Sequence, residues 1–223
     1  MIDARQQRIN MVESQVRPSD VTDRRIIRAM LEVPREAFVP PAIASLAYMD
    51  DEVTVAPARD GAPARRLMAP RTLAKLLQLA DLGPDAVVLD VGCASGYSAA
   101  VLARIVETVV ALESDPELAE VAARALEQQA LDNVAVVTGD LELGYPSEGP
   151  YDAIVLEGIV QTVPEHLLDQ LKDGGRLVAV VEDGPIGKAT VWCRIGSAFS
   201  PREAFVAGAP ALPGFVKPPA FVF

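Results

Sequence analysis

The sequence predicts an α/β protein with a mostly parallel central sheet, helices on both of its faces and a helical extension at its N-terminal end. Three observations carry that expectation. Short apolar runs alternate with helix-period segments from residue 87 to residue 181. The runs are apolar at nearly every position rather than at alternate ones, as strands covered on both faces are. Turn and cap residues stand at the boundaries between them. With 223 residues, half of them hydrophobic, the chain suffices for one well-buried core and is short for two. One domain over 1–223 is expected, with a front region at 1–70, a central region at 71–182 and a tail at 183–223.

Taken in order, Ala4 to Val16 and Asp20 to Val33 read as helices, the second with Ile26, Ile27, Met30 and Leu31 on one stripe before Pro34 stops it. Six prolines interrupt the chain from Pro34 to Pro70, and so long a connection reads as a lid or binding loop. Pro70 suits the first position of a helix that buries Leu73, Leu76, Leu77 and Ala80. Strand Val87 to Val91, helix Ser98 to Val106, strand Val109 to Glu113, helix Pro116 to Gln129 and strand Val134 to Thr138 follow. Strand Ala153 to Leu156, helix Pro164 to Leu171 and strand Arg176 to Val181 complete the series. Asp115 can cap the helix that Pro116 begins, and Gly174-Gly175 follows the helix that Pro164 opens. Thr190 to Ile195 reads as a strand, with edge strands at Ala204 to Ala207 and Phe221 to Phe223.

Composition excludes several classes. No apolar run approaches the roughly 20 residues of a membrane span, and the first residues lack a secretory signal. A cytoplasmic protein is expected. Cys93 and Cys193 are the two cysteines, without CxxC pairing or neighbouring histidine, so two free thiols and no metal site are expected. The net charge of −11 disfavours nucleic acid as a partner. Arg65, Arg66 and Arg71 form a local basic cluster that can meet an anion.

The segment Val87-Val88-Leu89-Asp90-Val91-Gly92-Cys93-Ala94-Ser95-Gly96-Tyr97 is a strand running into a glycine turn that opens a helix. Gly92 and Gly96 let backbone approach a ligand, and the free helical N–H groups favour electron-rich atoms. A dinucleotide fingerprint needs a third glycine where Tyr97 stands. The spacing fits instead the GxGxG form of adenosylmethionine enzymes, with Ala94 in the middle place. Glu113, 21 residues after Gly92 at the end of the next strand, can accept bonds from ribose hydroxyls. Gly139-Asp140 lies at a further strand end, where Asp140 can face an adenine amine. Glu157 reads as a solvated charge in preference to a cleft residue, and His166 as a surface residue. Tyr97, Trp192 and both cysteines read as packing residues, and Asp115, Glu117 and Glu120 as a solvated face.

These residues resemble the protein-L-isoaspartate O-methyltransferases, members of the Rossmann-like class I methyltransferases, over nearly the whole chain. Val33 to Pro40, reading VPREAFVP, is similar to the family's "VPRE.FVP", and Leu89 to Leu102, reading LDVGCASGYSAAVL, to its "LDVGSGSGY..A.LA". Tyr151 to Ile154 and Leu171 to Leu177 are similar to its "FDAI" and "L..GG.L". The resemblance implies S-adenosyl-L-methionine as cofactor and S-adenosyl-L-homocysteine as product. It implies methyl transfer to the free carboxylate of isoaspartyl residues in damaged proteins. By it, Asp90, Gly92, Cys93, Ala94, Gly96, Glu113, Ser114, Gly139, Asp140 and Leu141 would hold the cofactor, Asp90 also standing at the reacting centre. Arg66, Leu67 and Pro70 would meet the substrate. The family's "ISQP" element appears as Leu67-Met68-Ala69-Pro70, so Met68, which cannot donate a hydrogen bond, stands where the family has serine. Its "GDG" appears as Gly139-Asp140-Leu141, and its "AP..IP" as Gly158 to Pro164. Three readings stay open: an isoaspartyl methyltransferase with Arg65, Arg66 or a backbone N–H in the serine's role, a methyltransferase with a different acceptor, another carboxylate or a small molecule, and a non-catalytic adenosylmethionine-binding module.

Overall fold

The structure, a computed structural model, describes residues 3–59 and 63–216. The strand expected at Phe221 to Phe223 lies outside them. At the front, α1 (Ala4–Met11) is capped by the Asp3 carboxylate and continues as a π-turn over Val12–Val16 and a 3-10 turn over Arg17–Ser19. Helix α2 (Arg24–Glu32) starts four residues later than expected, because Asp20 takes a left-handed conformation that closes the preceding turn and Asp23 supplies the cap. It ends where Val33, preceding Pro34, must be extended. The proline-rich stretch is more structured than a loop. It holds 3-10 turns at Arg35–Phe38 and Pro41–Leu46 and an antiparallel pair, β1 (Val53–Ala56) with β2 (Arg65–Leu67). Helix α3 (Pro70–Ala80) follows with Pro70 at its first position.

The core runs β3 (Val87–Val91), α4 (Tyr97–Ala103), β4 (Thr108–Glu113), α5 (Pro116–Gln128), β5 (Val134–Thr138) and β6 (Tyr151–Val160). It continues with α6 (Glu165–Leu168), β7 (Leu171–Asp183), β8 (Ile186–Ile195) and β9 (Ala198–Val206). The seven strands lie in the order β5-β4-β3-β6-β7-β8-β9. Pairs from β5 through to β7 are parallel, and β7-β8 and β8-β9 are antiparallel. The chain builds outward from β3 to β5, then crosses to the other side at β6. In open parallel sheets the ligand crevice lies at the carboxyl ends of the strands flanking such a switch point.

Helices α3, α4 and α5 cover one face, with Leu73, Leu76, Leu77, Tyr97, Val101 and Leu118 in the larger apolar cluster. The other face is covered by α6, the turn at Leu141 and a C-terminal segment carrying Leu212 and Phe215. Helix α4 ends three residues early because Arg104 and Ile105 turn back onto the carbonyls of Val101 and Leu102. Helix α6 is a single turn. Leu171, expected in it, pairs with Tyr151 in the sheet.

Candidate active site

Strand β3 delivers Asp90 and Val91 to the carboxyl edge, and the chain turns at Gly92 (φ +80°), Ala94 (φ +51°) and Gly96 (φ +94°). Those left-handed conformations are open to glycine and strained for Ala94. Ala94 is held there because its N–H donates to Glu113 Oε2 at 2.8 Å. The N–H groups of Gly92 and Cys93 donate to the Leu112 carbonyl, so the turn is clamped to the end of β4. A methyl on Gly96 would come within 3.2 Å of Ala122 Cβ, so this glycine also lets α4 start against α5.

Glu113 is where the sequence placed it, and it is fully buried. Its Oε2 accepts from Arg65 Nη2 and from Ala94 N, both at 2.8 Å. Its Oε1 accepts from the backbone N–H groups of Ser114 and Asp115 and from the Ser114 hydroxyl. Every lone pair of the carboxylate is thus met by the protein itself. The same Arg65 nitrogen donates to the Gly92 carbonyl at 3.1 Å. The open side of Gly92 is filled: a methyl added there would run into Leu212 Cδ1 and lie 3.1 Å from Arg65 Nη2 and 3.5 Å from Leu141 Cδ1. Cys93 and Leu141 are buried beside it. Ser114 and Asp140 are exposed, Asp140 at the end of β5 after Gly139.

Behind the turn lie two more carboxyls. Asp90 Oδ2 accepts from Ser98 Oγ at 2.7 Å, and burial, reinforced by the Glu113 charge, pushes its pKa up to about 7. Glu157, expected as a solvated charge, is buried on β6, with 7% of its surface exposed. The reason is its partner. Burial first and the Asp90 charge second hold its pKa well above the carboxylate range. Asp90 Oδ1 and Glu157 Oε1 are buried without a hydrogen-bond partner, and one proton held between the carboxyls would satisfy both. Three carboxyls, Asp90, Glu113 and Glu157, then face two guanidiniums, Arg35 and Arg65. A proton on Glu157 leaves that group electrically balanced.

Arg35, part of the VPREAFVP signature but given no role from the sequence, is entirely buried. Its Nε donates to the Ala47 carbonyl and its Nη2 to the Met68 carbonyl, each at 2.7 Å, and its guanidinium lies 4.5 Å from the centre of the Tyr97 ring. It ties the VPREAFVP segment to the Met68 position and to the start of α4. Met68 itself is buried in the larger apolar cluster with Leu67. The basic cluster expected at Arg65, Arg66 and Arg71 is divided. Arg65 is inside with Glu113, while Arg66 pairs with Glu52 and Arg71 with Asp50 at the surface. Pro70 is buried at the head of α3, and His166 is exposed against the Glu142 carbonyl. Cys93 and Cys193 are free thiols. An open cleft of about 730 Å³, lined by Glu36, Phe38, Val39, Leu118 and Val121, reaches the turn at Ser95.

Residues 6–193 match the family model described as protein-L-isoaspartate(D-aspartate) O-methyltransferase. The chain belongs to this family. Among its isoaspartyl methyltransferase relatives, the one from Hyperthermus butylicus is 40% identical over 80% of this chain and 76% of its own length. The one from Herpetosiphon aurantiacus is 39% identical over 80% of this chain and 77% of its own. A solved protein-L-isoaspartate O-methyltransferase superposes with a TM-score of 0.80 at 28% identity, covering 93% of this chain and 66% of that one. A Plasmodium falciparum β-aspartate methyltransferase, solved with S-adenosyl-L-homocysteine, shares the fold with a TM-score of 0.77 at 20% identity, over 95% of this chain and 99% of that one. The methyltransferase fold expected from the glycine turn and the alternating strands is thus the one observed. Leu212 and Phe215, which meet the crevice and the face behind it, lie beyond the residues that match the family model.

Proposed function

We propose that the chain is an S-adenosylmethionine-dependent O-methyltransferase acting on the free carboxylate of isoaspartyl residues in damaged proteins, a repair activity of the cytoplasm carried by one domain. Family membership over residues 6–193, with the glycine turn clamped to Glu113, is the observation that carries this reading. The donor set suits an adenosine group: the left-handed turn, a strand-end carboxylate 21 residues on, and Asp140 exposed one strand further. The space in front of that set is filled by Arg65 and Leu212, so the cofactor fits only after both have withdrawn.

When bound, the cofactor supplies a methyl group on a positively charged sulfur. The chain's own tasks are then modest. An isoaspartyl carboxylate is already ionised at neutral pH, so the site must position and desolvate it and needs no base. His166, exposed on α6, is not required. Asp90, accepting from the Ser98 hydroxyl beside the buried Glu157, fixes the floor of the crevice. The cleft between α5 and residues 36–44 supports the approach of a peptide beside the turn. Because Met68 has no donor to offer, the acceptor's oxygens must be met by backbone N–H groups or by a guanidinium.

Methyl transfer from labelled S-adenosylmethionine to an isoaspartyl peptide, run beside the aspartyl peptide, tests the reading. Transfer to the isoaspartyl peptide alone supports it, and transfer to neither refutes it. Replacing Glu113 with Ala should weaken cofactor binding, and a Met68→Ser variant should gain rate. A second reading, a non-catalytic adenosylmethionine-binding module, is favoured by one observation, the buried thioether of Met68 at the position where the family has serine.

A further inference from the structure

The crevice at the switch point is occupied by the chain itself, and the two occupants come from opposite ends of it. Arg65 arrives on β2, and its guanidinium is held by Glu113 and by the Gly92 carbonyl. Leu212 arrives on the C-terminal segment, which is seated by backbone bonds to β6 and the residue that follows it: Ile159 N to the Pro210 carbonyl at 2.7 Å, Leu212 N to the Ile159 carbonyl at 3.0 Å and Gln161 N to the Phe215 carbonyl at 3.1 Å. Ala211 forms a parallel bridge with Ile159. Gly158 accommodates this docking, since a methyl there would stand 2.5 Å from the Pro210 carbonyl oxygen. Leu212 and Phe215 are buried, 6% and 2% exposed, so the segment is packed rather than draped.

We propose that Arg65 and Leu212 are a built-in plug of the adenosine crevice, mutually exclusive with the cofactor. The inference rests on the cofactor reading above. Arg65 mimics the ligand electrostatically, because it donates to the carboxylate that would otherwise accept from ribose hydroxyls. Leu212 mimics it sterically, filling the space that Gly92 leaves open. Cofactor binding therefore includes the release of an ion pair and of a packed leucine, and the observed affinity is the intrinsic affinity multiplied by the fraction of molecules that are open. No bond is made or broken in this exchange.

Calorimetry with S-adenosylhomocysteine on the full chain tests the plug, with circular dichroism verifying that each variant is folded. Leu212→Ala and Arg65→Gln should each bind it roughly tenfold or more tightly than the unsubstituted chain. A second measurement reads the movement of the segment itself. In a Leu212→Cys, Cys193→Ser chain, S-adenosylhomocysteine should accelerate alkylation of the introduced thiol severalfold, with the labelled site located by mass spectrometry. Binding to the Leu212→Cys, Cys193→Ser chain that leaves its residue-212 thiol as protected as before would overturn the plug while leaving the methyltransferase reading intact. Weaker binding by Arg65→Gln would make the arginine a cofactor ligand and overturn its role as a plug. No binding by any folded chain would overturn both readings, and the absence of binding distinguishes this outcome from the first.

Discussion

At the scale of single residues, five charged side chains meet at one sheet edge, and their visibility in the sequence differs for a physical reason. Glu113 is legible because a strand end and a fixed interval from a glycine turn are local facts. Arg35, Arg65 and Glu157 are not, because whether a charge is buried depends on which distant charge arrives beside it. Arg35 meets carbonyls 12 and 33 residues away, and Arg65 meets a carboxylate 48 residues away. Replacing Arg35 by Met should destabilise the fold by about 3 kcal/mol or more, since two buried carbonyls lose a charged donor and the carboxyl group loses half of its compensation. Urea unfolding will measure it. Arg35→Lys should recover little, because one ammonium cannot serve both carbonyls and stack on Tyr97.

At the scale of elements, the strands and helices with the clearest caps came out near their expected bounds, as α5 did from its Asp115-Pro116 start. Errors gathered where tertiary pairing overruled local pattern. Helix α6 stops after one turn because Leu171 gains more as a sheet partner of Tyr151 than as a helical residue. The β7-β8 hairpin does carry a local sign that strand patterning alone does not weigh: the two-residue connection Gly184-Pro185 between the paired Asp183 and Ile186, with Gly184 at φ +60° in its first position. Elements also set how firmly the tail is held. Gly158→Ala should expel the C-terminal segment from β6 while sparing the seven-stranded sheet. Limited proteolysis should then cut after residue 207 at rates the unsubstituted chain does not show, and an unchanged digestion pattern would mean that Gly158 does not govern docking.

For the molecule as a whole, the parallel half of the sheet followed from alternation and short connections, while at the other end Thr190 to Ile195 and Ala204 to Ala207 were legible as parts of β8 and β9 but their full lengths were not, because hairpin strands there carry more polar residues. The same sheet has an unusual response to pH. A carboxyl whose folded pKa is raised keeps its proton in the native state at pH values where the unfolded chain has lost it. The native protein then binds more protons, so stability falls as pH rises through the window from near 3.8 to about 7 set by Asp90. Glu157 adds to the fall in the same direction. Unfolding midpoints should therefore decline from pH 5 to pH 8, and Glu157→Gln, which keeps a donor to Asp90 without a titrating proton, should flatten the decline. A midpoint that rises across this range would mean that the two carboxyls share no proton.

The leucine that closes the crevice belongs to a stretch that the shared family pattern, ending at residue 193, does not include. Natural variation at position 212 can therefore set the threshold for ligand admission while every signature residue stays constant. Two chains with identical glycine turns can differ in whether anything is let in, and inspection of the motif alone will not tell them apart.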